Sequence, residues 1–381
     1  MKNVYINDIA SYLPNEPVPN EDMENVLGKI GNLSSRTKNI ILKNNGIKRR
    51  HYAIDPENGN LTDTNATLTA CAIKNLAPYT NFTLSDIELL SCGTSSPDLI
   101  LPGHALMVLG ELALSPIEAV TTTGICIAGM TALKYAFMNI KSGLNENAIA
   151  TGSELSSSYM KSTFFRYEKN VDADLEKNFR LAFEADFLRW MLSDGAGAIF
   201  LSNKPSDNKP SLKIDWIEIR SFAGSLSTCM YAGGKKEVSG AVKGWRELDS
   251  KNITELKYSL AVKQDTKLLE EHIVSTMTET LQAVIKQYNL STEDITWFLP
   301  HYSSDFFKGR FYEGMKEINF EIPYTKWFSN LETKGNTGSA SIYIILEELL
   351  KSTRLKKGEK LLCFIPESGR FSHCFMLLTV E

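Results

Sequence analysis

Thr123-Gly124-Ile125-Cys126-Ile127-Ala128-Gly129-Met130 decides how the rest of the chain reads. A short strand candidate, Glu118 to Thr122, leads into it. An apolar helix follows to about Ser142, where Gly143 stops it. A helix N-terminus presents free N–H groups and the positive end of the dipole. Both favour a thiolate, so this placement predicts a lowered pKa for Cys126. Read alone, Cys126 is equally a small buried residue at a tight turn.

The same strand–helix rhythm extends in both directions. Val4 to Ala10 reads as a strand closed by Leu13-Pro14, and Ile87 to Cys92 as a buried strand ending at Gly93. Asp63 to Leu76 and Ala105 to Leu112 carry helical patterns. Asn147 to Thr151 is a strand, and Ser193-Asp194-Gly195-Ala196-Gly197-Ala198 a turn running into another. Beyond it come a strand at Leu212 to Arg220, a long helix at Asp265 to Tyr288 and a short strand at Trp297 to Pro300. An apolar helix at Gly338 to Leu350 and strands at Leu361 to Ile365 and Cys374 to Val380 complete the series. This alternation predicts an α/β protein of two similar halves, 1–205 and 206–381. Phe164 to Trp190 interrupts the pattern as a helical insert. Cys229 to Ser250, rich in glycine and lysine, reads as an exposed loop.

Composition narrows the function. Of 381 residues, 43% are hydrophobic and 23% charged, which suits a globular chain. Lys plus Arg number 41 against 45 Asp plus Glu, a net charge of -4 that does not advertise nucleic-acid binding. No apolar run approaches the roughly 18 residues of a membrane span. The first eight residues lack a signal peptide's apolar core and read as a strand. Six scattered cysteines with no C-x-x-C pair predict neither a disulfide framework nor a zinc site, and place the chain in reducing cytosol.

Two further residues sit where chemistry is done. His301 follows Pro300 at the end of the short strand, where open α/β sheets place their sites. It also reads as a hydrogen-bonded structural histidine. Asn336, in Lys334-Gly335-Asn336-Thr337-Gly338, precedes an apolar helix and reads equally as its cap. Together, Cys126 could carry an acyl thioester while His301 and Asn336 donate hydrogen bonds to the enolate oxygen of a second one. That is carbon–carbon condensation without metal or redox cofactor.

These motifs resemble the thiolase-fold condensing enzymes of the β-ketoacyl-acyl-carrier-protein synthase III type, over nearly the whole chain. The likeness is carried by Ala10-Ser11-Tyr12-Leu13-Pro14, Gly46-Ile47-Lys48-Arg49-Arg50 and Gly93-Thr94-Ser95-Ser96-Pro97-Asp98. It continues through Leu101-Pro102-Gly103, Asp194-Gly195-Ala196-Gly197-Ala198, Pro300-His301 and Gly335-Asn336-Thr337-Gly338-Ser339-Ala340-Ser341. The resemblance implies a five-layer αβαβα thiolase-like fold, a homodimer, and Cys126, His301 and Asn336 as the catalytic trio. It implies an oxyanion hole from the N–H groups of Cys126 and Gly369, the latter in Ser368-Gly369-Arg370-Phe371. Substrates would be acyl thioesters on acyl carrier protein or coenzyme A. The family's coenzyme-A-contacting Trp and Arg align near Ile40 and Asn44, which favours a carrier-bound donor. The glycine-rich loop departs from the family's in carrying Glu367 and Arg370.

Within the family, the opening Tyr5 to Pro14 and the run Ser35 to Gly46 look like the ketosynthase/cyclase branch. That branch makes 1,3-cyclohexanediones, precursors of dialkylresorcinols and bacterial stilbenes. Glu154, ending the strand after the nucleophile helix, would then deprotonate a β-ketoacyl donor; it reads equally as a structural acid. The rivals are a chain-starting synthase using malonyl carrier protein, a non-catalytic subunit and a thioesterase-like hydrolase. Lys235, Lys236, Lys243, Arg246, Lys308 and Arg310 could attract an acidic carrier. Phe164, Phe165, Tyr167 and Phe179 could line an acyl tunnel or simply pack.

Overall fold

The computed structural model describes residues 1–381 except 31–33, 36, 166–186, 238 and 250. Among the described residues, nine strands join one mixed sheet. In chain order they are β1 (Tyr5–Tyr12), β2 (Leu89–Thr94), β3 (Glu118–Thr123), β4 (Asn147–Glu154), β5 (Gly195–Ser202), β6 (Leu212–Ser221), β7 (Trp297–Pro300), β8 (Lys360–Glu367) and β9 (Ser372–Val380). Across the sheet the order is β7-β8-β9-β6-β1-β5-β4-β2-β3. The helices that concern the site are α1 (Asn65–Lys74), α2 (His104–Leu112), α3 (Ile127–Ser142), α4 (Thr266–Tyr288), α5 (Lys308–Glu317) and α6 (Ser341–Lys351).

The apolar run of β2 is buried along its whole length because parallel neighbours flank it and helices cover both faces. Parallel neighbours need crossovers, which α2 and α3 supply. Strands from residues 1–205 lie on one side of the β1–β6 junction, which pairs only Tyr5 and Ile6 with Lys213 and Leu212. Helices α1 and α2 cover the outer face of the first group. Helix α4 covers β9, with α5 against it. Between the two groups lie α3, touching β2–β5 as well as β8 and β9, and α6, touching β1, β4, β5 and β7. The result is five layers, αβαβα.

The middle layer packs closely through glycine. A Cβ on Gly152 would lie 2.2 Å from the Ser339 carbonyl oxygen, and one on Gly197 2.3 Å from the Tyr343 Cβ. Strand and helix backbones meet there at a distance no side chain permits.

Helix ends largely follow their caps. Helix α4 starts where the Asp265 carboxylate accepts from the Leu268 N–H, and α3 ends at left-handed Gly143. Two expectations change. The helix expected from Gly338 opens as a 3-10 turn, Gly338–Ala340, before α6 begins at Ser341. Gly338 has a φ of +52°, incompatible with an α-helical first turn. Cys229 to Ser250 is not simply an exposed loop. Met230–Tyr231 pairs with Lys263–Gln264, and Gly234–Lys236 with Val242–Gly244. The buried Cys229 anchors its start.

Candidate active site

β3 delivers the chain to the Gly124-Ile125 turn, and Cys126 follows as the N-cap residue of α3. It is 8% exposed and lies on the wall of a cavity of about 540 Å³. The carboxylate of Glu367, the last residue of β8, sits over the same turn. Its Oε2 accepts from the Ile125 N–H at 3.0 Å and the Ile127 N–H at 3.3 Å, one on each side of Cys126. The expected lowering of the thiol pKa is therefore reversed. Burial first, then the charges of Glu367 and Glu154, push the Cys126 thiol up. Burial strips water from a thiolate, and a helix N-terminus already bound to a carboxylate has little positive potential left to offset that.

Glu154 ends β4 and also lines the cavity. Its Oε1 accepts from the N–H groups of Ser95 and Ser339, each at 3.2 Å. Its Oε2 accepts from the hydroxyls of Ser95 at 2.5 Å and Ser96 at 2.9 Å. Burial raises its pKa against the pull of these donors. Among the described residues Glu154 is held by these four hydrogen bonds.

Asn336 also lines the cavity, directly after Gly335, whose φ is +71°. Its Oδ1 accepts from the Gly338 N–H at 2.9 Å, which leaves its Nδ2 to donate elsewhere. Asn336 is not the helix cap: Thr337 stands there for the 3-10 turn and Ala340 for α6, while one end of the Asn336 amide shapes the turn and the other is available to a ligand. His301 leaves β7 with its N–H bonded to the Phe364 carbonyl at 2.8 Å. The ring is buried, its Nε2 has no hydrogen-bond partner among the described residues, and burial lowers its pKa to about 4. It is thus a neutral imidazole at neutral pH, the form that can donate without adding charge. The cavity brings together Cys126, Glu154, Asn336 and Gly369, while His301 lies outside its lining. The N–H groups of Cys126 and Gly369 have no protein acceptor among the described residues, as an oxyanion hole requires.

The deeper wall is apolar. Met191, Leu269, Ile273, Phe307 and Phe311 line it and belong to the core beneath β8 and β9. Such a surface suits an acyl chain and holds no water tightly.

Comparisons with known proteins agree with this architecture. A family model described as 3-oxoacyl-[acyl-carrier-protein (ACP)] synthase III C terminal matches residues 285–367. The β-ketoacyl-[acyl-carrier-protein] synthase III of Hyphomonas neptunium is 24% identical over 94% of this chain and 93% of its own. The chain is an acyltransferase, a thiolase-fold ketosynthase similar to β-ketoacyl-[acyl-carrier-protein] synthase III. Among solved structures, the ketosynthase superposes on AbyA1, a tetronic acid condensing enzyme, with a TM-score of 0.74, 19% identity and 99% of each chain covered. OleA of Xanthomonas campestris, solved with bound lauric acid and lauroyl-CoA, gives 0.72 at 18% identity, again over 99% of each chain.

The matched segment of the ketosynthase contains His301 and Asn336 and ends at Glu367. Glu367 is the site residue that sequence reasoning left without a role. Its signal was the acid standing beside Ser368-Gly369. Met230, Tyr231 and Ala232, assigned to a surface loop, line the cavity instead. Phe165 is buried beneath Arg189 and against Tyr258, and neither it nor Phe164 lines the cavity. Tyr167 and Phe179 lie outside the described residues. The basic residues proposed for a carrier mostly face acids of their own chain: Lys235–Glu255 and Lys236–Asp265 at 2.6 Å, Lys243–Glu237 at 3.4 Å, Arg310–Glu270 at 2.7 Å and Lys308–Asp305 at 4.0 Å. Arg246 stacks on Trp245. Among the described residues, no helix is long and apolar enough to cross a membrane.

Proposed function

We propose that this ketosynthase condenses a β-ketoacyl thioester with an α,β-unsaturated acyl thioester to give a 1,3-cyclohexanedione. The observation that carries the reading is the pair of buried carboxylates, Glu154 and Glu367, on the wall that holds Cys126. A malonyl donor generates its carbanion by losing carbon dioxide and needs no base. Its own carboxylate would meet two like charges here. A β-ketoacyl donor instead has an acidic α-carbon, and a carboxylate can take its proton.

In this scheme residues 1–205 supply Cys126 and Glu154, and residues 206–381 supply His301 and Asn336. Cys126 accepts one acyl group as a thioester, with its oxyanion held by the N–H groups of Cys126 and Gly369. The second thioester, on acyl carrier protein or coenzyme A, places its carbonyl beneath the Asn336 amide, with the His301 imidazole, which stands outside the cavity lining, as the proposed second donor. Glu154 deprotonates the α-carbon. To do so it releases the Ser95 hydroxyl, an exposed rotor that needs only to turn about one bond. A Claisen condensation and a Michael addition then close the ring. The apolar wall receives the alkyl tail. AbyA1, named as a tetronic acid condensing enzyme, has the same fold.

We also propose a homodimer. β3 is the free edge of the sheet and is only partly covered. Beside it, on the loop leading to α2, Ile100 is 74% and Leu101 82% exposed. A second copy would cover both the open edge and the apolar patch. All six cysteines are free thiols, which suits a reducing cytosol.

The alternative is a chain-initiating synthase condensing an acyl thioester with malonyl carrier protein, which the name of the Hyphomonas neptunium relative supports. Product analysis with both substrate sets separates the two. A ring from the β-ketoacyl and α,β-unsaturated pair, lost in Glu154→Gln, is the expected result. A linear β-ketoacyl product from malonyl carrier protein, with no ring from the other pair, would establish the alternative. Cys126→Ala should gain no acyl mass; a persisting adduct would end the role of Cys126 under either reading.

A further inference from the structure

The acylation step needs a proton acceptor, and the proposed roles of Glu154, His301 and Asn336 do not supply one. The thiol of Cys126 is buried and held protonated by its surroundings. A protonated thiol is a poor nucleophile, so its proton must leave as sulfur attacks. Among the described residues, the titratable groups on the cavity wall are Cys126, Glu154, Tyr159, Tyr231, Glu367 and Arg370. Tyr159 is pushed further towards its protonated form by burial. Tyr231 lies beneath the Lys263 ammonium at 5.6 Å, and the Arg370 guanidinium is bonded to the Leu226 carbonyl. Glu154 is assigned to the donor's α-carbon, and its two oxygens are held by four donors on the Ser95, Ser96 and Ser339 side rather than at the Cys126 turn. His301 is off the wall and too weak a base once its water is gone.

Glu367 differs from all of these. Its Oε2 is fixed by the N–H groups on either side of Cys126, which places the carboxylate directly over the turn that carries the thiol. Its Oε1 has no hydrogen-bond partner among the described residues, and lies on the Gly369 side, 3.1 Å from where a Gly369 Cβ would stand. One oxygen is clamped and the other is open. That is the geometry of an anchored base.

We propose that Glu367 is the base that takes the proton of Cys126 as its sulfur attacks the incoming acyl thioester. The proposal rests on the reading that Cys126 is acylated. The S–H proton passes to Glu367 while the sulfur electron pair forms the new C–S bond. The carbonyl electrons move to oxygen, which faces the N–H groups of Cys126 and Gly369. When the intermediate collapses, the bond to the carrier sulfur breaks, and that thiolate takes the proton back from Glu367. Glu367 returns to its starting state, and no other reactant is consumed. Burial and the Glu367 charge hold the thiol neutral between turnovers, which protects it from oxidation and stray alkylation.

The test pairs two reactions of the same thiol in the full chain. Acyl loading from a dodecanoyl-N-acetylcysteamine thioester is followed by intact mass, and alkylation of Cys126 by iodoacetamide is followed by peptide mass. In Glu367→Gln, loading should fall by roughly 100-fold, the usual yield of a general base. Alkylation at pH 7.5 should rise, because removing the carboxylate charge eases thiolate formation. The acid limb that Glu367 gives the wild-type loading profile should disappear. Glu367→Asp should recover part of the loading, and it carries the test if the Gln variant does not fold. Loading in Glu367→Gln within about threefold of wild type would overturn the proposal, as would a parallel fall of both reactions, the mark of a merely structural role. The same split appearing in Glu154→Gln instead would transfer the role to that residue. Acyl mass persisting in Cys126→Ala would instead fail the underlying reading, independently of Glu367.

Discussion

His301 shows what burial does to a single side chain. Its imidazole has lost water without gaining a carboxylate, and its pKa falls to about 4 from an ordinary value near 6.5. The unfolded chain binds a proton between those values and the folded chain does not. Stability from this group is therefore complete above about pH 6.5 and is lost as pH falls towards 4. By pH 5 the loss is about 2 kcal/mol. Urea unfolding of wild type and His301→Gln at pH 7.5 and pH 5 should show the gap between them shifting by roughly that amount, against wild type in acid. A gap independent of pH would mean that the ring titrates normally. At the same scale, Cys126 corrects a simple rule. A cysteine at a helix N-terminus has a lowered pKa only if the N–H groups face it. Here they face Glu367, and the thiol is pushed the other way.

At the scale of elements, the contact between β4, β5 and α6 sets the position of the site. Gly152 meets the Ser339 carbonyl, and Gly197 meets the Tyr343 ring, while the Tyr343 hydroxyl donates to the Gly129 carbonyl at 2.8 Å. The turn from Asn336 to Ser341 is thereby held against β4, within reach of Glu154. Gly152→Ala forces the two backbones apart and should cost about 3 kcal/mol. A thermal melt would show it as a clearly lower midpoint. An unchanged midpoint would mean that the layers slide freely. Elements with strong local signals were legible in the sequence: the long periodic helix from Asp265, the Gly143 stop of α3 and the short apolar run that becomes β2. Elements set by distant partners were not. The 3-10 turn at Gly338 depends on Ser339 donating to Glu154, 185 residues away. The Met230–Tyr231 strand exists only because Lys263–Gln264 pairs with it.

For the whole molecule, the open edge at β3 carries the consequence. Ile100→Glu with Leu101→Glu places two charges on the apolar patch beside that edge. Sedimentation should show wild type as a dimer and the double variant as a monomer at micromolar concentration. A wild-type monomer, or a dimer unaffected by the charges, would place the interface elsewhere. The paired lysines of the Gly234–Gly244 hairpin show the same scale at work. Counted along the chain they form a basic cluster. Folded, Glu255, Asp265 and Glu237 pair with Lys235, Lys236 and Lys243 and neutralise most of it.

The fold class, the order of strands and helices, and the identity of Cys126, His301 and Asn336 as candidates follow from the sequence alone. These depend on local periodicity, on caps and glycines, and on motifs that stay in order along the chain. Tertiary structure decided what those residues experience. It placed Glu367 over the Cys126 turn from 241 residues away, surrounded Glu154 with four donors and buried the His301 ring. Electrostatics acts through space at a few ångströms, so the charge state of a site belongs to whatever the fold brings beside it.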